Sequence, residues 1–424
     1  MATPPKPAGR PGRRPLDELR GATRLAVEAT RGVTDLVEAM QQGITGGTPV
    51  VGGPLAAVTR LLNKPIFGSI RGVTGLVGAG IDAALAPLSR LLAPTQAEAS
   101  DELAALLAAV NGVLGDYLEQ TGNPLAIPLR LRHGGRVLEP DREALVRDVP
   151  TATGKIVVLV HGSCMNDRQW LRRGHDHGAA LARDLGFTPV YLHYNSGLHV
   201  STNGRAFAEA LAALLAAWPC AIERLVILGH SMGGLVARSA CLVAEAEGHA
   251  WRRQLDALVG LGTPHHGAPL ERGGSWIDLL LGATRYSAPL ARLGKIRSAG
   301  VTDLRFGYVH DEHWEGRDRF AHGVDLRGAM TLPEGVRCYA IAATRGTTPG
   351  DRLPGDGLVP VDSALGRHAD PARALDFPEA HQWIGYGMDH LDLLDRAEVY
   401  ATIRGWLAPP EDLSQPPARD SNSP

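Results

Sequence analysis

The sequence predicts an α/β protein built on a mainly parallel sheet that is covered by helices on both faces. Three observations carry this. Short, continuous apolar runs, "KIVVLV" (155–160), "RLVILG" (224–229) and "LDALVGLG" (255–262), have the composition of strands buried on both sides. Stretches suited to helices alternate with them, at 166–185, at 203–218 and directly after Ser231, which is the order of βαβ units. The bulk numbers are those of a globular chain: 424 residues, 44% apolar and 21% charged.

The elements follow in order. Residues 1–15 form a Pro- and Arg-rich arm expected to be disordered. Leu16, Leu19, Thr23, Val27, Val33, Val37 and Met40 then fall near one face of a helix. After a Gly/Pro-rich break at 43–54, Ile70, Val73, Val77, Ile81, Leu85 and Leu88 mark a second amphipathic stretch over 67–92. "RGVTDLVEA" (31–39) and "RGVTGLVGA" (71–79) agree at seven of nine positions, a two-copy repeat that falls short of a solenoid. The second copy is rich in glycine, each residue weakening an isolated helix by roughly 1 kcal/mol, so close packing must compensate. Arg71 and Asp82 bracket only ten uncharged residues, too few to span a bilayer. Two readings stand side by side: helices packed on a catalytic domain, or a surface-lying module that touches lipid. A third helix at 101–119 completes a helical extension over 16–125.

The main domain is expected over 126–407. It opens with an exposed strand and a turn at Gly134-Gly135, continues through the buried strands and "PVYLHY" (189–194), and is interrupted by an irregular insert at 268–333. "VRCYAIAA" (336–343) and "HQWIGY" (381–386) supply the last strands, and 408–424 reads as a disordered tail.

Charge excludes one class of partner. With 43 Lys and Arg against 45 Asp and Glu, the chain offers no general attraction for nucleic acid. Four cysteines without paired spacing read as free thiols of a reducing compartment. The basic N-terminus has no apolar run behind it, so no secretory signal is expected. The expected location is cytoplasmic, with attachment to a membrane surface through 16–92 as the open alternative.

The chemistry gathers around "GHSMG" (229–233). G-x-S-x-G after a buried strand and before a helix is what a nucleophile elbow needs: the glycines permit a sharp turn, and the helix N-terminus favours negative charge. A serine hydroxyl near neutral pH also needs a base, itself oriented by a carboxylate.

The chain from about 155 to 407 resembles an α/β-hydrolase of the lipase kind, carried by "VLVHGSCMND" from Val157, "GHSMGG", "GLGTPHHGA" (260–268), "GDGLVP" (355–360) and "MDHLDLL" (388–394). The combination is also similar to bacterial relatives of GPI inositol-deacylases. Residues 1–150 have no counterpart in these motifs. The resemblance implies Ser231 as nucleophile, followed in chain order by an acid and a histidine. Asp351, Asp356 and Asp362 are candidate acids, and Asp356, between Gly355 and Gly357, matches the family's Asp-Gly. His390 is the implied base, with His381 and His368 as runners-up. The oxyanion donors implied are the backbone N–H groups of Met232 and of Ser163, after His161-Gly162, with the Cys164 N–H as an alternative. His161, Gly162 and His266 are expected to line the substrate pocket.

Other histidines invite a metal reading. His175 and His177, and likewise His310 and His313, lie close in sequence, but the i,i+2 pair diverges on a helix, so solvation or local hydrogen bonding is expected. Asp392 matches a calcium-binding aspartate of some bacterial lipases without a second ligand. No metal or cofactor is assigned.

The insert carries Trp276, Tyr286, Phe306, Tyr308, Trp314 and Phe320, which suits a lid over an apolar acyl site. The expected activity is hydrolysis of a lipid or other hydrophobic ester through an acyl-enzyme. An acyltransferase, thioesterase or polyester depolymerase with the same triad, or a catalytically idle membrane-associated scaffold, are the alternatives.

Overall fold

The computed structural model describes residues 101–268, 298–317, 325, 327, 328, 330–350 and 353–409. The helices expected at 16–40 and 67–92, and Trp276, Tyr286 and Phe320 of the insert, lie outside the described residues. Eight strands form one sheet: β1 (Arg130–His133), β2 (Arg136–Val137), β3 (Lys155–Val160), β4 (Thr188–His193), β5 (Arg224–His230), β6 (Leu255–Leu261), β7 (Arg337–Thr344) and β8 (Gln382–Tyr386). Their spatial order is β2-β1-β4-β3-β5-β6-β7-β8. Only the β1–β2 and β1–β4 pairings are antiparallel; the remaining neighbours run parallel.

The helices are α1 (Asp101–Gln120), α2 (Arg142–Asp148), α3 (His177–Leu185), α4 (Val200–Ala216), α5 (Met232–Ala246), α6 (Ala299–Asp303), α7 (Val361–Ala364) and α8 (Ala397–Leu407). Alternation within the strands divides the core. Ile156, Val158 and Val160 of β3 join Phe207 and Leu211 of α4 and Leu235 of α5 on one face. Val157 and Leu159 join Leu181 of α3 and Val399, Ile403 and Leu407 of α8 on the other. Side chains alternate across a strand, so a run that is apolar at every position needs both covers. Each such fully buried Leu, Ile or Phe contributes roughly 1.5–3 kcal/mol of transfer free energy.

The strand expectations match the structure to within a residue or two. The helix expected over 166–185 is instead split. A short 3-10 turn spans Asp167–Trp170, and α3 begins only at His177. Between them Arg173 (φ 47°) and Gly174 (φ 81°) take left-handed backbone conformations, closing a small loop. The cause is tertiary. Arg172 and Arg173 both meet the buried side chain of Asp395, at 3.3 and 3.4 Å, and Arg173 also reaches Asp392 at 3.1 Å. Among the described residues no helix is long and apolar enough to cross a membrane.

Candidate active site

The parallel strands β3, β5, β6, β7 and β8 lie side by side, and the candidate residues sit on the loops that follow β3, β5, β7 and β8. Ser231 is the first residue after β5, at φ 54° and ψ −125°. A non-glycine residue in that region is strained, and such strain persists only where the surroundings impose it. Two contacts do so here. The Ser231 N–H donates to the Leu261 carbonyl at the end of β6 (2.8 Å). Gly233 presses against the end of β3, where a Cβ would sit 2.6 Å from the His161 carbonyl oxygen. That glycine lets the elbow dock on the strand beside it.

Asp356 lies on the loop after β7 and is fully buried. Its Oδ1 accepts from the Leu358 and Val359 N–H groups at 2.9 and 2.8 Å, while Oδ2 faces His390 Nδ1 at 2.7 Å. The His390 N–H returns to the Asp356 carbonyl at 3.2 Å. His390 is itself fully buried, and its Nε2 has no hydrogen-bond partner among the described residues. The ring fits because position 262 is glycine: at φ 56° a Cβ there would sit 3.0 Å from His390 Cε1. The other candidates are placed elsewhere. Asp362 is exposed and Asp351 lies outside the described residues. His381 Nδ1 binds the Cys338 carbonyl at 3.0 Å, and His368 lies beside His266.

The loop after β3 lies against the elbow, a Cβ on Gly162 being 3.0 Å from Ser231 Cβ. Among the described residues the backbone N–H groups of Ser163 and Met232 have no hydrogen-bond acceptor. The Cys164 N–H is already taken, donating to Ser196 Oγ at 2.9 Å. His161 is fully buried and stacks on Tyr194 (centroids 4.3 Å apart), whose hydroxyl donates to the His161 carbonyl at 2.8 Å. His266 turns to the Gly366 carbonyl, 2.9 Å from its Nε2.

Two further histidines brace this site, a role that sequence reasoning gave to neither. His230 is the variable residue of the elbow pentapeptide. Its Nε2 lies 3.2 Å from the His390 carbonyl and therefore carries the proton, since a carbonyl only accepts. Burial holds His230 well below its ordinary pKa, so it is a neutral strut under His390. The signal was present, a histidine beside the nucleophile, but its partner lies 160 positions away.

His177 is the second. Its Nε2 donates to the Leu393 carbonyl at 2.9 Å, leaving Nδ1 to accept from His175 Nε2 at 2.9 Å. The short histidine spacing thus builds a hydrogen-bonded relay that ties α3 to the segment after His390. Among the described residues no group of three or more His, Cys, Asp or Glu side chains is arranged to hold a metal ion. Asp392 is met by the guanidinium groups of Arg173 and Arg396 at 3.1 and 3.7 Å.

These buried neutral histidines make stability depend on pH. Burial depresses His177 to about 4 and His161 to about 3, from an ordinary 6.5. Below pH 6.5 the unfolded chain binds protons that the folded chain refuses. Their contribution is therefore complete above pH 6.5 and is lost as pH falls towards about 4 for His177. The slope is about 1.4 kcal/mol per pH unit for each histidine. Thermal melts should show Tm falling between about pH 6.5 and 4.5, and His177→Gln should make that fall shallower. A wild-type Tm that stays flat across this window rejects the buried neutral state.

Residues 151–326 match the family described as PGAP1-like alpha/beta domain. A comparison with curated proteins finds no match. Solved structures similar in part include a Bacillus licheniformis lipase in mature form (16% identity, 60% of this chain and 91% of the other, TM-score 0.39). A Pyrococcus furiosus esterase aligns at 13% identity over 61% of this chain and 81% of its own (TM-score 0.36). A hormone-sensitive lipase from a metagenome library aligns at 14% over 60% and 77% (TM-score 0.35). The sheet order and the elbow directly after β5 give this domain the α/β-hydrolase fold, and over residues 151–326 it is similar to the PGAP1-like family.

Proposed function

We propose that the protein is a serine carboxylic-ester hydrolase whose triad is Ser231, His390 and Asp356. One observation carries the reading: His390 has Nδ1 bound to the buried Asp356 carboxylate at 2.7 Å and Nε2 without a partner among the described residues, while Ser231 sits on a strained elbow at the end of β5. The Asp356 contact fixes the tautomer with the proton on Nδ1, so Nε2 is the nitrogen able to take the Ser231 proton. Ser231 Oγ then attacks the ester carbonyl carbon as its proton passes to His390 Nε2. The carbonyl oxygen becomes an oxyanion between the Ser163 and Met232 N–H groups, at the N-terminus of α5. Collapse breaks the bond to the alkoxy oxygen, which leaves as an alcohol with the proton from His390. Water, deprotonated by the same nitrogen, attacks the acyl-serine and releases the acid.

A hydrophobic acyl group is the substrate class this reading favours. Phe306, Tyr308 and Trp314 of the insert lie within the segment joining β6 to β7. Trp314 stacks on His199 at the start of α4 (3.7 Å between centroids), which anchors that part of the insert to the sheet's helical cover. An alkyl fluorophosphonate should label the protein at one residue, Ser231, located by peptide mass spectrometry. p-Nitrophenyl esters of increasing chain length, given as competitors, should slow labelling, with medium chains more effective than acetate. Labelling at another residue, or none, overturns the assignment.

A further inference from the structure

We propose that Ser196 is a positioning residue for the oxyanion loop, locked in place by a helix that lies outside the matched segment. The inference rests on the catalytic reading above, because it concerns the Ser163 N–H. The loop after β3 closes as a tight turn, Met165 N–H to the Gly162 carbonyl at 3.4 Å. Within it Cys164 has φ 59° while Ser163 keeps an ordinary negative φ, the pattern of a type II turn. That pattern wants glycine at its third position, and this chain has cysteine. The turn is held against its own preference by one bond across the site, from the Cys164 N–H to Ser196 Oγ at 2.9 Å, with both residues buried.

Ser196 in turn has little freedom. Asn195 donates through Nδ2 to the Gly115 carbonyl at 2.9 Å and accepts from the Gly197 N–H at 3.0 Å. Asn203 of α4 donates to the Asn195 carbonyl at 2.9 Å. Helix α1 lies directly on both loops, since a Cβ on Gly112 would be 2.8 Å from Cys164 Cα. The same helix is tied to the insert, where Ser298 Oγ donates to the Gly112 carbonyl at 2.7 Å. The Ser196 hydroxyl and the wall of α1 at Gly112 therefore meet at Cys164, while Asn195 fixes the segment that carries Ser196. If Ser196 loses its hydroxyl, the Ser163–Cys164 peptide can rotate and return Cys164 to negative φ. The Ser163 N–H lies in the preceding peptide, so it shifts only as the relaxed turn closes anew, away from the place where the oxyanion forms.

The test is Ser196→Ala, assayed with p-nitrophenyl esters and normalised to active sites titrated by fluorophosphonate, so that only folded sites count. Expected is a fall in kcat per site of about 10- to 100-fold with KM within about twofold, the range below complete loss of an oxyanion donor. Affinity for an alkylboronic acid, which forms a tetrahedral adduct, should fall by the same factor. Adding Cys164→Gly to Ser196→Ala should recover most of the loss, because glycine takes the positive φ unaided. A purely structural bond gives the opposite order: fewer titratable sites, unchanged kcat per site, and a further decline in the double variant. That outcome overturns the proposal. Ser231→Ala, run beside it, separates the two failures. If it still turns over, the catalytic reading falls with this one. If it is inactive while Ser196→Ala keeps full kcat per site, only the role of Ser196 falls.

Discussion

Ser231→Ala should lower kcat for p-nitrophenyl esters by at least about 10⁴-fold, the scale seen when a serine nucleophile is removed from a triad. The loss should not come from unfolding. Alanine at φ 54° is no better accommodated than serine, and the neighbouring Ser231 N–H bond to Leu261 survives the change. Tm should therefore stay within a few degrees of wild type. Ser231→Gly sharpens the point. Glycine removes the left-handed strain, which costs about 1–2 kcal/mol for other residues, so this variant should be equally inactive and more stable. Activity above about 1% of wild type in either variant would remove Ser231 from the mechanism.

Asp356→Asn should cost about 10⁴-fold in kcat with little change in KM. The hydrogen bonds dictate why. Oδ1 accepts from two backbone N–H groups, Leu358 and Val359, so an asparagine must place its carbonyl oxygen there. Its NH₂ then faces His390 Nδ1, where the carboxylate stood at 2.7 Å. The imidazole is forced to accept at Nδ1 and to carry its proton on Nε2, the nitrogen that has to receive one. The fold has no reason to change, since the amide replaces the carboxylate bond for bond. Retention of more than about a tenth of the wild-type kcat would show that another group orients His390.

Much of this was legible before any coordinates. β3, β5 and β6 are continuous apolar runs, and no other element type suits six or seven such residues between glycines and helices. The elbow was legible because its glycines have a steric purpose that survives in one dimension. Asp356 and His390 were reached by motif and chain order, and the structure places those two side chains in contact while leaving His381 and His368 elsewhere. What could not be read depends on partners distant in sequence. The break before α3 exists because Arg172 and Arg173 have carboxylates more than 200 positions away. His177 looked like a short-range histidine pair, and it is that pair and also a buried link to Leu393. Helix α1 was visible as a helix, but nothing in its own pattern announces that Gly112 faces Cys164 after β3 and Gly115 faces Asn195 after β4.

The bond from Ser298 to Gly112 closes a stretch of 186 positions, and that from His177 to Leu393 closes 216. Contacts of such separation form late in folding, because the chain must lose the entropy of a very large loop before either is rewarded. Helix α1 leaves the ribosome early yet can dock only after the insert has been made. The loop bearing His390 can be braced only once almost the whole domain is present. A nascent chain therefore carries the Ser231 elbow well before His390, which is added 159 positions later.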